Sequence, residues 1–216
     1  MTGCGDLHQS QPLFSYGAPL NEAQAAVVML HGRGARAQDI LQLAPYLGHE
    51  DAVAFLAPQA STNTWYPYSF VAPLEANEPC LSSALLAVTD TLLQVEAVGI
   101  TDRRTLLLGF SQGACLALEF AARNARPYGG IIGLSGGLIG PDGTPRDYEG
   151  DFEQTPVFLG CSDVDPHIQL ARVHESADVL ARLGAAVTTR IYPGMGHTVI
   201  DDELAAVRAM LSDALA

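Results

Sequence analysis

A chain of 216 residues, 48% apolar and 16% charged, is long enough for one domain with a sizeable core and too apolar for a disordered acidic tail. Eleven basic residues against 24 acidic ones give a net charge of −13 with no basic stripe, which argues against nucleic acid and anionic membrane surfaces as partners. The four cysteines, Cys4, Cys80, Cys115 and Cys161, have neither CxxC spacing nor the look of a disulfide framework, so a reduced, cytoplasmic setting is the expectation.

In chain order, "MTGCGDLHQSQPLF" has no basic start followed by an apolar core, so it does not read as a signal peptide. The run "AVVMLH" (26–31), ending at "GRGA", suits a fully buried strand. Residues 36–47 read as a helix and "AVAFLAP" (52–58) as the next strand. A loop rich in turn and aromatic residues, holding Trp65, Tyr66, Tyr68 and Phe70, precedes the longest helix, about 80–98. That helix carries Leu81, Leu85, Val88, Leu92 and Val95 on one face, with Asn77 or Glu78 as cap and Pro79 near its first turn. No apolar run approaches the roughly 18 residues of a transmembrane helix.

A strand over 104–109 leads into a turn at Ser111 and a helix over 114–120. Strands at 129–136 and 156–161 follow, separated by a Gly/Pro/Asp loop. A helix over 168–183, the strand "VTTRIYP" and a final helix through Leu204, Val207, Leu211 and Leu215 close the chain. There is no internal repeat or linker, so residues 1–216 are expected to form one domain, with 1–14 as a loosely ordered start. Alternating strands and helices with continuous apolar strands imply an α/β fold, a mostly parallel sheet covered on both faces. Ligands in such sheets bind beyond the carboxyl ends of the strands, where the chemistry-bearing residues also fall.

"GFSQG" (109–113) matches G-x-S-x-G, a nucleophile elbow, with the required strand before and helix after. A serine alcohol is a weak nucleophile and needs a base, which needs an orienting carboxylate. His197, in the glycine-rich "YPGMGHT" after the last strand, is the candidate base. His8, His49 and His174 lack such a setting, and His167 adjoins the acid loop. That loop, "GCSDVDPHI", offers Asp163 and Asp165; the place before Pro166 favours Asp165. An oxyanion needs backbone N–H donors: Gln112, just after the serine, and Arg33 in "LHGRGA" between Gly32 and Gly34. His31 reads as a structural hydrogen-bonder.

Together, "LHGRGA", "GFSQG", "DVDPHI" and "GMGH", over about residues 15–212, resemble the phospholipase/carboxylesterase family of α/β-hydrolases, small serine esterases that include acyl-protein thioesterases. The resemblance implies a compact α/β-hydrolase fold without a large lid, with Ser111 as nucleophile, Asp165 as acid and His197 as base. It also implies oxyanion donors at Arg33 and Gln112, and a substrate-binding tryptophan at Trp65. Many members read H-G-x-x-D-x-x-V-P around the acid, where this chain has Cys161 and Ser162 for the first pair and Gln169 for the last proline. The expected activity is a carboxylesterase acting on short- to medium-chain esters of small molecules, with no cofactor and no metal. An acyl-protein thioesterase or lysophospholipase would use the same chemistry, and a non-catalytic ligand-binding protein is the reading from another class. A homodimer is compatible with the sequence but not derivable from it.

Overall fold

The computed structural model describes residues 8–216. Seven strands form one sheet: β1 (Leu13–Gly17), β2 (Ala25–Leu30), β3 (Val53–Pro58), β4 (Thr105–Phe110), β5 (Gly130–Leu134), β6 (Pro156–Ser162) and β7 (Ala186–Tyr192). Their spatial order is β1-β3-β2-β4-β5-β6-β7. Only β1 runs antiparallel to its neighbour.

In strands β2, β4, β5 and β6 successive side chains point to opposite faces, and both faces are buried. Val28, Leu30, Leu107 and Ile131 share one core with α4 (Cys80–Ala97), α5 (Gln112–Arg123) and α6 (Leu170–Arg182). Val27, Met29, Leu106 and Ile132 share the other with α1 (Ala37–Leu41), α2 (Ala44–Leu47) and α7 (Asp201–Leu215). A strand caged between two cores has no polar face to show. That is why these strands read as unbroken apolar runs.

Several expectations need correction. The helix expected over 36–47 is two, α1 and α2, because Pro45 enters the first turn of the second and has no N–H to continue the first. Strand β1, which begins within the expected loose start, lies at the sheet edge, where three of its five residues are exposed. Residues 1–7 of the expected loose start lie outside the described residues, whereas His8 is buried and β1 begins at Leu13. Cys80 is disulfide-bonded, against the expectation of thiols throughout. Cys115 and Cys161 are free and buried, and Cys4 lies outside the described residues.

Among the described residues one helix, α4, is long and apolar enough to cross a membrane by length and composition alone. Leu81, Val88, Leu92 and Val95 of that helix are nevertheless buried in the protein core. A short helix α3 (Leu74–Asn77) precedes α4, so the segment between β3 and α4 carries little regular structure.

Candidate active site

Ser111 follows β4 at the centre of the sheet with φ 56° and ψ −120°, a left-handed backbone that non-glycine residues seldom adopt. The sharp turn sets Ser111 above the first turn of α5. A side chain at Gly109 would strike the backbone of Gly113, and one at Gly113 would strike the carbonyls of Leu30 and His31. The two glycines therefore let strand, elbow and helix close on each other.

Asp165 and His197 reach Ser111 from the loops after β6 and β7, two and three strands away from β4. His197 Nε2 lies 2.8 Å from Ser111 Oγ, and its Nδ1 lies 2.7 Å from Asp165 Oδ2. Asp165 Oδ1 accepts the N–H groups of His167 at 2.8 Å and Ile168 at 3.0 Å. Burial pushes the Asp165 carboxyl up, but the bonds from His197 and from these two N–H groups outweigh it and hold it below its ordinary range. It stays ionised and accepts Nδ1–H, which leaves Nε2 free to take the serine proton. The Phe110 ring packs 4.9 Å from the imidazole, and the His167 ring meets it edge-on at 4.8 Å.

Asp163, the other candidate carboxylate, bonds loop backbone, and it is Asp165 that bonds the imidazole. Its Oδ1 accepts the Gly194 N–H at 2.8 Å and so anchors the start of the loop that carries His197. The far end is anchored by Glu203, whose Oε2 accepts the Ile200 N–H at 3.0 Å.

Gln112 N–H stands at the free N-terminus of α5, where no intrahelical acceptor exists. The Arg33 N–H is aimed by its own peptide. His31 Nδ1–H donates to the Gly32 carbonyl at 2.8 Å, and in a trans peptide the Arg33 N–H must then point the opposite way. His31 is buried, its pKa is lowered by that burial, and its Nε2 accepts the Ala60 N–H at 3.1 Å. It is a neutral structural imidazole, as the sequence suggested.

The side chains of these two donor residues do something the sequence did not disclose. Gln112 Oε1 accepts the Trp65 N–H at 3.0 Å and its Nε2 donates to the Tyr66 carbonyl at 2.8 Å. The Arg33 guanidinium donates to the carbonyls of Pro67 at 2.8 Å and Tyr68 at 2.6 Å. Four consecutive residues of one loop are thus clasped by the two residues expected to hold an oxyanion. The exposed Arg33 guanidinium is thereby tied to this loop.

A cavity of about 640 Å³ opens beside Ser111, bounded by Tyr66, Phe70, Gln112, Cys115, Ile168 and His197. Trp65, expected at this pocket, lies behind its wall: it is fully buried, its Nε1–H donates to the His31 carbonyl at 2.9 Å, and its ring packs between His8 and His31. Its loop neighbours Tyr66 and Phe70 take the place assigned to it. Phe70 is backed in turn by Gly140, whose N–H donates to the Phe70 carbonyl at 2.7 Å. Buried Arg172 holds the Gly140 carbonyl.

A family model described as Phospholipase/Carboxylesterase matches residues 15–215. The fold of a phospholipase/carboxylesterase from Dyadobacter fermentans superposes with a TM-score of 0.89 at 47% identity, covering 94% of this chain and 97% of that one. Acyl-protein thioesterase 1 of Saccharomyces cerevisiae is 26% identical over 92% of this chain and 96% of its own length. Acyl-protein thioesterase 1 of Gibberella zeae is 36% identical over a shorter stretch, 52% of this chain and 49% of that protein.

Proposed function

Since the chain belongs to the phospholipase/carboxylesterase family of α/β-hydrolases, we propose that it is a serine carboxylesterase hydrolysing short- to medium-chain esters through an acyl-enzyme on Ser111. The observation that carries this reading is the continuous chain Ser111–His197–Asp165, with links of 2.8 and 2.7 Å and an Asp165 side chain fully shielded from solvent. His197 takes the Ser111 proton as Oγ attacks the ester carbonyl. The N–H groups of Arg33 and Gln112 receive the charge on the carbonyl oxygen. The intermediate collapses, the alcohol leaves with the proton from His197, and water repeats the sequence to release the acid. No step calls for a metal or an organic cofactor.

A thioester would follow the same route with a thiol leaving group, and the names of the fungal and yeast relatives keep that substrate in view. The net charge of −13 disfavours work at an anionic membrane surface, which argues for a dissolved small-molecule substrate over a membrane lipid. The test pairs Ser111→Ala with a fluorophosphonate probe and a panel of p-nitrophenyl esters beside an acyl-CoA. The variant should fold, resist labelling and lose on the order of 10³–10⁶ in kcat. Turnover within tenfold of the parent overturns the nucleophile. A folded parent that neither labels nor hydrolyses any ester points to a binding protein.

A further inference from the structure

A second, smaller depression of about 370 Å³ lies on the other side of His197. It shares Gly32, Ala35, Phe110 and His197 with the larger cavity, and adds Ile40, Leu43 and Val199. We propose that this groove is the leaving-group subsite and that it selects esters of apolar, uncharged alcohols. The inference rests on the esterase reading above and names its substrate class.

The assignment of the two sites follows from proton transfer. With the carbonyl oxygen between the Arg33 and Gln112 N–H groups and Ser111 Oγ bonded to the carbon, two substituents remain. One is the oxygen of the departing alcohol, which must lie at His197 Nε2 to collect its proton. The groove walled by His197, Thr198 and Val199 adjoins that position, and we assign the alcohol to it. The larger cavity, which also touches His197, is lined by Ser111, Gln112, Cys115 and Tyr66 and is left for the acyl chain.

The chemistry of the walls then decides what the groove accepts. Ile40, Leu43, Phe110 and Val199 are apolar, and they join the core that packs on that face of the sheet. Of the polar groups beside them, Thr198 carries only a neutral hydroxyl, which bonds the Val199 carbonyl at 3.5 Å. Asp39 Oδ2 accepts the Arg36 N–H at 2.7 Å, and His31 is committed to Gly32 and Ala60. The groove contains no cation to meet a phosphate, and the Asp39 carboxylate would repel one. A glycerophosphodiester or nucleotide thiol is therefore a poor leaving group here, and a short alkyl alcohol a good one.

The reverse step offers a test that does not depend on the rate of acylation. An alcohol seated in the groove gives its proton to His197, attacks the acyl carbon, and releases Ser111 Oγ, which regains the proton. Ester forms, acyl-enzyme is consumed, and no other reagent enters. Butanoate esters of methanol, ethanol, 1-butanol and 1-hexanol are compared by kcat/KM, which reports steps up to alcohol release. Each methylene entering the groove should raise it by about two- to fourfold, fourfold being full burial. With p-nitrophenyl butanoate as common acyl donor, 1-hexanol should compete with water better than methanol at equal concentration, by the same order.

In Leu43→Asp the hexyl-to-methyl ratio of kcat/KM should fall at least tenfold, while the dependence on acyl length keeps its shape. Should that variant not fold, the alcohol series and the partitioning experiment on the unaltered protein decide alone. An active esterase whose kcat/KM and partitioning ignore alcohol length overturns the proposal and leaves the esterase reading intact. So does a Leu43→Asp variant altered in acyl preference alone. A protein that hydrolyses no ester and does not label at Ser111 overturns both.

Discussion

Replacing Asp165 by Asn tests the site through an orientation that the structure imposes. Asp165 Oδ1 faces two backbone donors, the N–H groups of His167 and Ile168 at 2.8 and 3.0 Å. An asparagine amide must give its oxygen to those donors, because its NH₂ placed there would oppose them. The NH₂ then faces His197 Nδ1 across the 2.7 Å gap now spanned by the carboxylate. Nδ1 must accept, the ring proton moves to Nε2, and the base can no longer take the Ser111 proton. The expected loss is on the order of 10⁴ in kcat, about 5.4 kcal/mol of transition-state stabilisation. Asp163→Asn is the control. Its Oδ1 holds the Gly194 N–H from an exposed position, and an amide oxygen can do the same, so kcat should stay within about threefold. Steady-state kinetics and melting temperatures of both variants decide the matter. An inactive, well-folded Asp163→Asn beside an active Asp165→Asn would refute the reasoning.

Arg33→Met keeps the backbone N–H but removes two bonds to the carbonyls of Pro67 and Tyr68. At roughly 0.5–1.5 kcal/mol each, reduced by the exposure of the guanidinium, the loss should raise KM and lower kcat together, each several-fold, because the clasp holds the loop and steadies the Arg33 N–H; unchanged kinetic constants would show that the clasp does neither. Glu203 is buried, its carboxyl is pushed up by that burial to about 7, and no hydrogen bond reaches its Oε1. A carboxyl raised above its unfolded value of about 4.3 favours the folded state most below that pH and loses the benefit as pH climbs to about 7. Glu203→Gln removes this titration, so its melting temperature relative to the parent should be more favourable at pH 8 than at pH 4.5, by a few degrees; an equal offset at both pH values would contradict it.

Most of the sheet was legible in the sequence because β2, β4, β5 and β6 are buried on both faces and admit only apolar residues. β1 was not, because an edge strand with one paired side and exposed residues leaves no such pattern. Ser111, His197 and Gln112 could be picked out as candidates for a related reason: each belongs to a short local motif tied to a strand end. The two aspartates were not separable by pattern, since they share one turn and differ only in which way the side chain leaves it. Asp165 turns inward because its own carboxylate caps the following N–H groups. The aromatic loop was the least legible part. In an irregular segment no periodicity says which ring faces the cavity, so Trp65 was placed where Tyr66 and Phe70 stand. Nor could spacing reveal that Arg33 reaches residues 34 and 35 positions away.

That last contact bears on how the site holds its shape. In the proposed mechanism the oxyanion hole, made of backbone N–H groups, works only if those peptides cannot turn, yet Arg33 sits among glycines and Gln112 at a helix end. The structure secures each by its side chain. Gln112 has an amide satisfied on both ends by Trp65 and Tyr66, and rotating its peptide would break two buried hydrogen bonds. Arg33 is tied to Pro67 and Tyr68, while His31 fixes the carbonyl on the other side of its N–H. The same four bonds position the loop that forms one wall of the larger cavity, proposed to take the acyl chain. Wall and oxyanion donors are therefore one mechanical unit. A substrate that displaces the wall must also strain the donors, so the cavity can discriminate between acyl chains in the rate of the chemical step as well as in binding.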